Sequence, residues 1–324
     1  MMTGTHSIGY LCVKSIKMKK EEHSPLSFAS LSEAARAFGL PQPQHPLITL
    51  IDSERNKVIE SIVHHAHVLN FYKISYKPSL SGRLKYGQDY YDFDEGGLLF
   101  AAPNQIIGAD VAGNGKVCSL YTLLIHPDFL LSYPLAKKIK QYGFFSYSAN
   151  EALHLSDKEK DTMIAIFKII EEELNSRIDD FSQDVIISQI ELLLNYANRF
   201  YKRQFITRKV SGNSLLQRME DLLEEYFSNE RSVAQGIPTV QYLAGHLNIS
   251  ASYLSDMLRS LTGQSAQQHI HNKLIEKAKE KLSSTSLSVS EVAYQLGFEH
   301  SQSFSKLFKI KTTLSPLEFR KSFN

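Results

Sequence analysis

Between residues 157 and 200 apolar side chains recur every three or four positions. Met163, Ile166, Phe167, Ile170, Leu174 and Ile178 fall on one face of a helix, and Ile186, Ile190, Leu193, Ala197 and Phe200 on one face of a second. Ser156, with Glu159 three residues on, signals the start of the first helix. The pair predicts an antiparallel hairpin. Ile169, Ile187 and Leu194 are left over, either to reach a partner subunit or to cover the preceding domain. Upstream the pattern changes. Stretches 48–51, 68–76, 98–101 and 117–125 are rich in β-branched and aromatic residues, with turn signals at Ser81-Gly82, Gly96-Gly97 and Gly113-Asn114-Gly115. Short strands at this spacing predict a barrel or jelly roll. The first 45 residues have weak periodicity, Pro41, Pro43 and Pro46 mark a loop, and 211–214 (Ser-Gly-Asn-Ser) reads as a linker.

After the linker one pattern occurs twice. The first copy, 243–265, is LAGHLNISASYLSDMLRSLTGQS; the second, 292–315, is VAYQLGFEHSQSFSKLFKIKTTLS. Ala244 matches Ala293 and Leu247 matches Leu296 at an offset of 49, while Leu254 matches Phe304 and Leu258 matches Phe308 at an offset of 50. A repeat at this period means two copies of one supersecondary unit. The small alanines let the following helix cross closely. Asn248 and Gly297 stand where a left-handed backbone is needed. Ser250 or Ser252, and Ser301, are candidate caps for the second helices. This is the pattern of a helix-turn-helix, and it leaves short polar faces: Ser252, Ser255, Asp256 and Arg259, then Gln302, Ser303, Lys306 and Lys309. Such a face fits a major groove about 12 Å wide. The intervening 271–282, rich in Lys and Glu and free of Pro and Gly, reads as a rigid connecting helix.

Length and charge refine this picture. The 324 residues suggest about two domains. The net charge of +2 hides an uneven distribution: from residue 232 on, ten basic residues face six acidic ones, leaving +4 there and −2 elsewhere. A modest basic bias of this kind suits either a phosphate-binding surface or an ordinary solvated face. Cys12 and Cys118 form no framework, no apolar run reaches membrane length, and Lys14, Lys17, Lys19 and Lys20 precede no signal-peptide core. A cytoplasmic protein with no membrane partner is expected.

The last hundred or so residues resemble the DNA-binding domain of AraC/XylS-family transcription regulators. The residues that carry the resemblance are LAxxL-x-IS-xx-YLS, TGxS, SVSEVAYQLGF, SFSKLFK and SPLEFR. One departure is Thr313, where the family commonly has glycine. The resemblance implies two helix-turn-helix units, joined by one long helix, entering successive major grooves. It implies double-stranded DNA and RNA polymerase as partners, with a small effector and a homodimer as further expectations. On groove geometry Ser252, Ser255, Asp256 and Arg259 read bases in the first unit, and Ser301, Gln302, Ser303 and Lys306 in the second. Asp256 has the alternative of a salt bridge within its helix. Lys273, Lys309 and Lys311 are assigned to phosphates.

The β-rich segment more loosely resembles the family's cupin-like sensor domain. Tyr72, Tyr76, Tyr86, Tyr90 and Phe100 are candidates to line an effector pocket, or else core. A cupin metal site needs an H-x-H pair, a Glu four residues on and a later His. His65-Ala66-His67 supplies the pair, but Phe71 stands in the Glu position and no His follows near Ile107, so no metal and no cofactor are expected. The whole reads as α+β: an arm over 1–45, a cupin-like barrel over 46–152, a helical hairpin over 153–210 that offers a dimer contact, and a tandem helix-turn-helix domain over 211–324. A DNA-binding regulator rather than an enzyme is expected. The alternatives are a regulator without a ligand and a cupin-type metal enzyme with a helical appendage.

Overall fold

Alternation along 72–77 sends Tyr72, Ile74 and Tyr76 to one side of a sheet and Lys73, Ser75 and Lys77 to the other. The computed structural model describes residues 26–56, 67–78, 84–86, 89–91, 96–107, 119–148, 151–176, 179–207 and 209–322. The strands are β1 (Leu26–Phe28), β2 (Ile48–Asp52), β3 (His67–Leu69), β4 (Tyr72–Lys77), β5 (Leu84–Tyr86), β6 (Asp89–Tyr91), β7 (Gly97–Ala101), β8 (Ile106–Ile107), β9 (Tyr121–Ile125) and β10 (Leu153–His154). They form a five-stranded antiparallel sheet in the order β10-β7-β4-β9-β2, a three-stranded sheet β1-β3-β8 and the hairpin β5-β6. In the large sheet Ile74 lies opposite Phe100 on one side and Leu123 on the other.

The α+β class holds, but the described strands close no barrel. The single strand expected over 68–76 breaks after Leu69: the Asn70 N–H turns to the Phe28 carbonyl, and β3 and β4 enter different sheets. Leu124 and Ile51 on one face of the large sheet pack with Phe28, Leu31, Leu69 and Phe71. Residues 26–45 of the segment expected as an arm carry a strand and a helix. Helix α1 (Leu31–Phe38) is capped by Ser30, whose hydroxyl accepts from Glu33 N–H, and ends on left-handed Gly39. It buries Leu31, Ala34 and Ala35, and β1 pairs parallel with β3.

The other face of the large sheet meets the helices. From β9 the chain runs through 3-10 turns at Pro127–Leu130, Ile139–Gln141 and Gly143–Ser146 and one α turn, α2 (Leu135–Lys138). Then come α3 (Asp157–Asn175) and α4 (Ser182–Thr207), the expected hairpin. Glu159 accepts from the Ser156 N–H, as the sequence indicated, and also binds Arg203 of α4 at 2.6 Å. Met163, Ile166, Phe167 and Ile170 are buried with Ile186, Ile190, Leu193, Ala197 and Phe200 against Ile74, Phe100 and Leu123. Ile178 lies outside the described residues. Ile187 and Leu194 are buried in this core, which leaves Ile169, 42% exposed, as the one of the three at the surface.

The expected linker at 211–214 is helical. Residues 209–228 form α5 (Lys209–Ser228), and Leu215, Met219, Leu223 and Tyr226 bury its apolar face. One interior glycine costs a helix about 1 kcal/mol, less than burying any of these side chains returns. The remaining helices are α6 (Arg231–Gln235), α7 (Val240–Leu247), α8 (Ala251–Thr262), α9 (Ala266–Ser284), α10 (Val289–Gln295), α11 (Ser301–Thr312) and α12 (Pro316–Lys321). One apolar core runs without a break from Ile48 to Phe308.

Candidate nucleic-acid interface

The two repeats fold as two copies of one unit. In the first, α7 ends on Asn248 at φ 58° and α8 begins after Ser250, whose hydroxyl accepts from Tyr253 N–H. Ser250, not Ser252, is therefore the cap. In the second, the chain leaves α10 through Gly297 at φ 89°, and His300 rather than Ser301 precedes α11, with no side-chain cap bond. Leu254 and Leu258 are buried in one unit, Phe304 and Phe308 in the other. Each reading helix ends on a left-handed residue, Gly263 at 76° and Thr313 at 67°. A serine two residues on then caps the next helix in a reciprocal capping box, Ser265 with Gln268 and Ser315 with Glu318.

The polar faces differ in surroundings. On α11, Gln302, Ser303, Lys306 and Lys309 are exposed and Ser301 is half-buried. Lys311 bonds Asn272 on α9 at 3.0 Å. On α8, Arg259 is exposed and pairs with Asp256 at 2.8 Å, the salt bridge weighed as the alternative for that aspartate. Ser252 and Ser255 are half-buried.

Lys273, expected on phosphate, lies on the connecting helix α9 between Glu224 and Glu276, each at 2.8 Å. Lys277 also reaches Glu224, at 2.6 Å. Hydrogen bonds from Lys273 and Lys277 hold the Glu224 carboxyl down to about 2. These pairs tie α5 to the connecting helix. Ser232 donates to the Gln295 carbonyl at 2.6 Å, and the backbone of Gly236 packs on Gly297. The second unit is thereby braced by α6 and the turn after it.

The first unit is braced by the N-terminal domain instead. Tyr147 donates to Asp256 Oδ2 at 2.7 Å. Gly143, at the start of the last 3-10 turn, faces the same carboxylate so closely that a Cβ there would overlap Oδ2. Tyr253 of α8 is 2% exposed, with the rings of Tyr147 and Phe205 edge-on to it, each centroid 5.2 Å away. Glu151, 1% exposed, accepts from Ser250 N–H at 2.5 Å, Ser250 Oγ at 2.6 Å and Ser148 N–H at 2.7 Å. Burial raises the Glu151 carboxyl above its ordinary value, and the bonds from Ser250 and Ser148 oppose this. Burial, then the Asp256 charge, raises the Tyr147 hydroxyl, which remains a donor. Tyr201 OH and Gln204 Oε1 of α4 hold this segment through the Glu151 carbonyl and the His154 N–H. No sequence motif marks Gly143, Tyr147 or Glu151, because their partners lie about a hundred residues away.

Tyr72 and Tyr76 are buried on the hairpin side of the large sheet, where Tyr72 meets the Phe145 ring edge-on at 5.1 Å. Phe100 shares that core. The opposite face carries Lys73 and the paired hydroxyls of Ser75 and Thr122, 3.2 Å apart. Tyr86 and Tyr90 lie on β5 and β6, in strands whose side chains fall outside the described residues. His67 is buried between Phe28 and Phe38. Its expected companion His65, and both cysteines, lie outside the described residues. Among the described residues no three His, Cys, Asp or Glu side chains form a metal-binding group, and no helix is long and apolar enough to cross a membrane.

Comparison with known proteins agrees with this geometry. Residues 243–322 match the family model of a helix-turn-helix domain. They form an AraC-type helix-turn-helix domain. Over 143 residues the chain is 29% identical to YfiF, an uncharacterized HTH-type transcriptional regulator of Bacillus subtilis, covering 44% of this chain and 42% of that one. Over 140 residues it is 29% identical to RafR, the raffinose operon transcriptional regulatory protein of Pediococcus pentosaceus, covering 43% and 48%. The match thus spans less than half the length of these relatives. A solved structure, the C-terminal domain of the two-component response regulator yesN from Fusobacterium nucleatum, shares 31% identity over 31% of this chain and 96% of its own, with a TM-score of 0.28.

Proposed function

We propose that this protein is a sequence-specific, DNA-binding transcription regulator that sets two reading helices in successive major grooves. The observation that carries the proposal is the duplication. Both units have a left-handed turn residue (Asn248, Gly297), a buried apolar pair and a serine cap at the next helix in matching positions, and each presents a polar helix face. In the second unit Gln302 suits adenine, Lys306 suits guanine, and Ser301 and Ser303 suit either. Lys309 and the N-terminus of α11 hold phosphate. In the first unit Ser252, Ser255, Asp256 and Arg259 play the reading part. Lys273 is given a bracing role, through Glu224, in place of phosphate contact. RNA polymerase and a second copy of the chain are the protein partners of this reading, and the cytoplasm its compartment.

Control by a small effector belongs to the N-terminal domain. Because Tyr72 and Tyr76 face the hairpin, a ligand seated between the two sheets would meet Lys73, Ser75 and Thr122. A metabolite panel read by thermal shift tests this: a ligand at a hundred times its Kd adds about 2.7 kcal/mol. The DNA reading is tested by selecting bound sites from random duplexes at stated salt. A motif spanning two grooves about 10 base pairs apart is expected. An enriched motif confined to one groove, or none, would sink the tandem reading.

A further inference from the structure

The two reading helices are alike in sequence pattern but not in what lies on them. Ser252, Ser255, Asp256 and Arg259 stand at i, i+3, i+4 and i+7 along α8, so they share one face. Asp256 on that face is bonded to Tyr147, and the chain passes directly over it at Gly143. At the start of the same helix the Ser250 N–H and hydroxyl are both taken by the Glu151 carboxylate. A helix with its side chains is 10–12 Å across, and a major groove is about 12 Å wide. Such a groove cannot take α8 while a second backbone lies on its reading face. On α11 the matching residues Gln302, Ser303 and Lys306 are exposed.

We propose that the N-terminal domain holds the first reading helix shut. Gly143 and Tyr147 cover the face of α8, and the Glu151 carboxylate stands at the helix start where a DNA phosphate oxygen would otherwise sit. The second unit is open throughout. DNA reading by the first unit therefore requires α8 to leave Tyr147 and Glu151, and the closed population lowers the apparent affinity without altering the motif read. This rests on the DNA-binding reading above.

The test uses the full chain, the duplex recovered by site selection, and a second duplex in which the first unit's half of the motif is scrambled. Gly143→Val puts a side chain where the Asp256 carboxylate lies, so that carboxylate must swing off Tyr147. Tyr147→Phe removes one hydroxyl and keeps the ring packing, so it folds if the wild type does. Glu151→Ala frees Ser250. The expected result is a gain of about threefold or more in affinity for the intact site with each variant, and no gain on the scrambled duplex. Hydrogen exchange at residues 250–256 should quicken in parallel. Equal affinity of the wild type and all three variants for the intact site overturns the gating inference and leaves the DNA reading standing. Failure of every protein to select any duplex, with exchange quickened in Gly143→Val, overturns the DNA reading and the gate with it.

Discussion

Gln302 and Lys309 lie on one exposed helix yet should behave differently when removed. Gln302→Ala should cost about 1–3 kcal/mol on the selected site and relax preference at one base pair. Lys309→Ala should weaken all sequences alike and lower the salt slope by about 1. Binding of single-substituted duplexes at several salt concentrations separates the two, and a uniform effect from Gln302→Ala would remove it from the readers. Two turn residues make a second contrast. Thr313 is β-branched at φ 67°, where its matching residue in the first unit is Gly263. Thr313→Gly should therefore stabilise by roughly 1 kcal/mol, measured by denaturant unfolding. Gly297→Ala should do the opposite, by about 2 kcal/mol or more, since its Cβ would strike the Gly236 backbone at a positive φ. An unchanged midpoint in either variant would contradict the strain argument.

At the level of elements, α5 and the connecting helix α9 are joined by Glu224 with Lys273 and Lys277. A carboxyl held low in the folded state stabilises above its unfolded pKa, and that contribution fades as pH falls through the folded value. The clamp should weaken as pH drops from 4.5 toward about 2. Glu224→Gln should remove that part of the acid dependence of thermal stability; identical acid profiles would show the clamp to be idle. The helix-turn-helix units were legible because their signals are local: Asn248, Gly297, Ser265 and the buried pairs all act within one unit. The hairpin was legible from its period for the same reason. The absence of a closed barrel among the described strands is not legible, because nothing local at Asn70 reveals a change of sheet. The helix over 211–214 is not legible locally, because tertiary burial of Leu215 and Met219 overrides one glycine and two serines. The pairing of Lys273 with Glu224 is invisible in the sequence because the two lie far apart along it.

Across the whole molecule, the apolar core passes from the sheet through the hairpin into both helix-turn-helix units. Calorimetry should therefore show one cooperative transition for the wild type, and two resolved transitions would show that the domains melt separately. The N-terminal domain meets α8 through Tyr253, Asp256 and Ser250, so any change that shifts the turn at Gly143 is felt at the first reading face. Gly143 also carries a genetic consequence. Every glycine codon is one base change from alanine and from valine, and each of these places a Cβ against Asp256. If that contact closes the first unit, DNA binding freed from control is a single mutational step away. An unbiased screen for variants that have escaped regulation should return to this codon repeatedly.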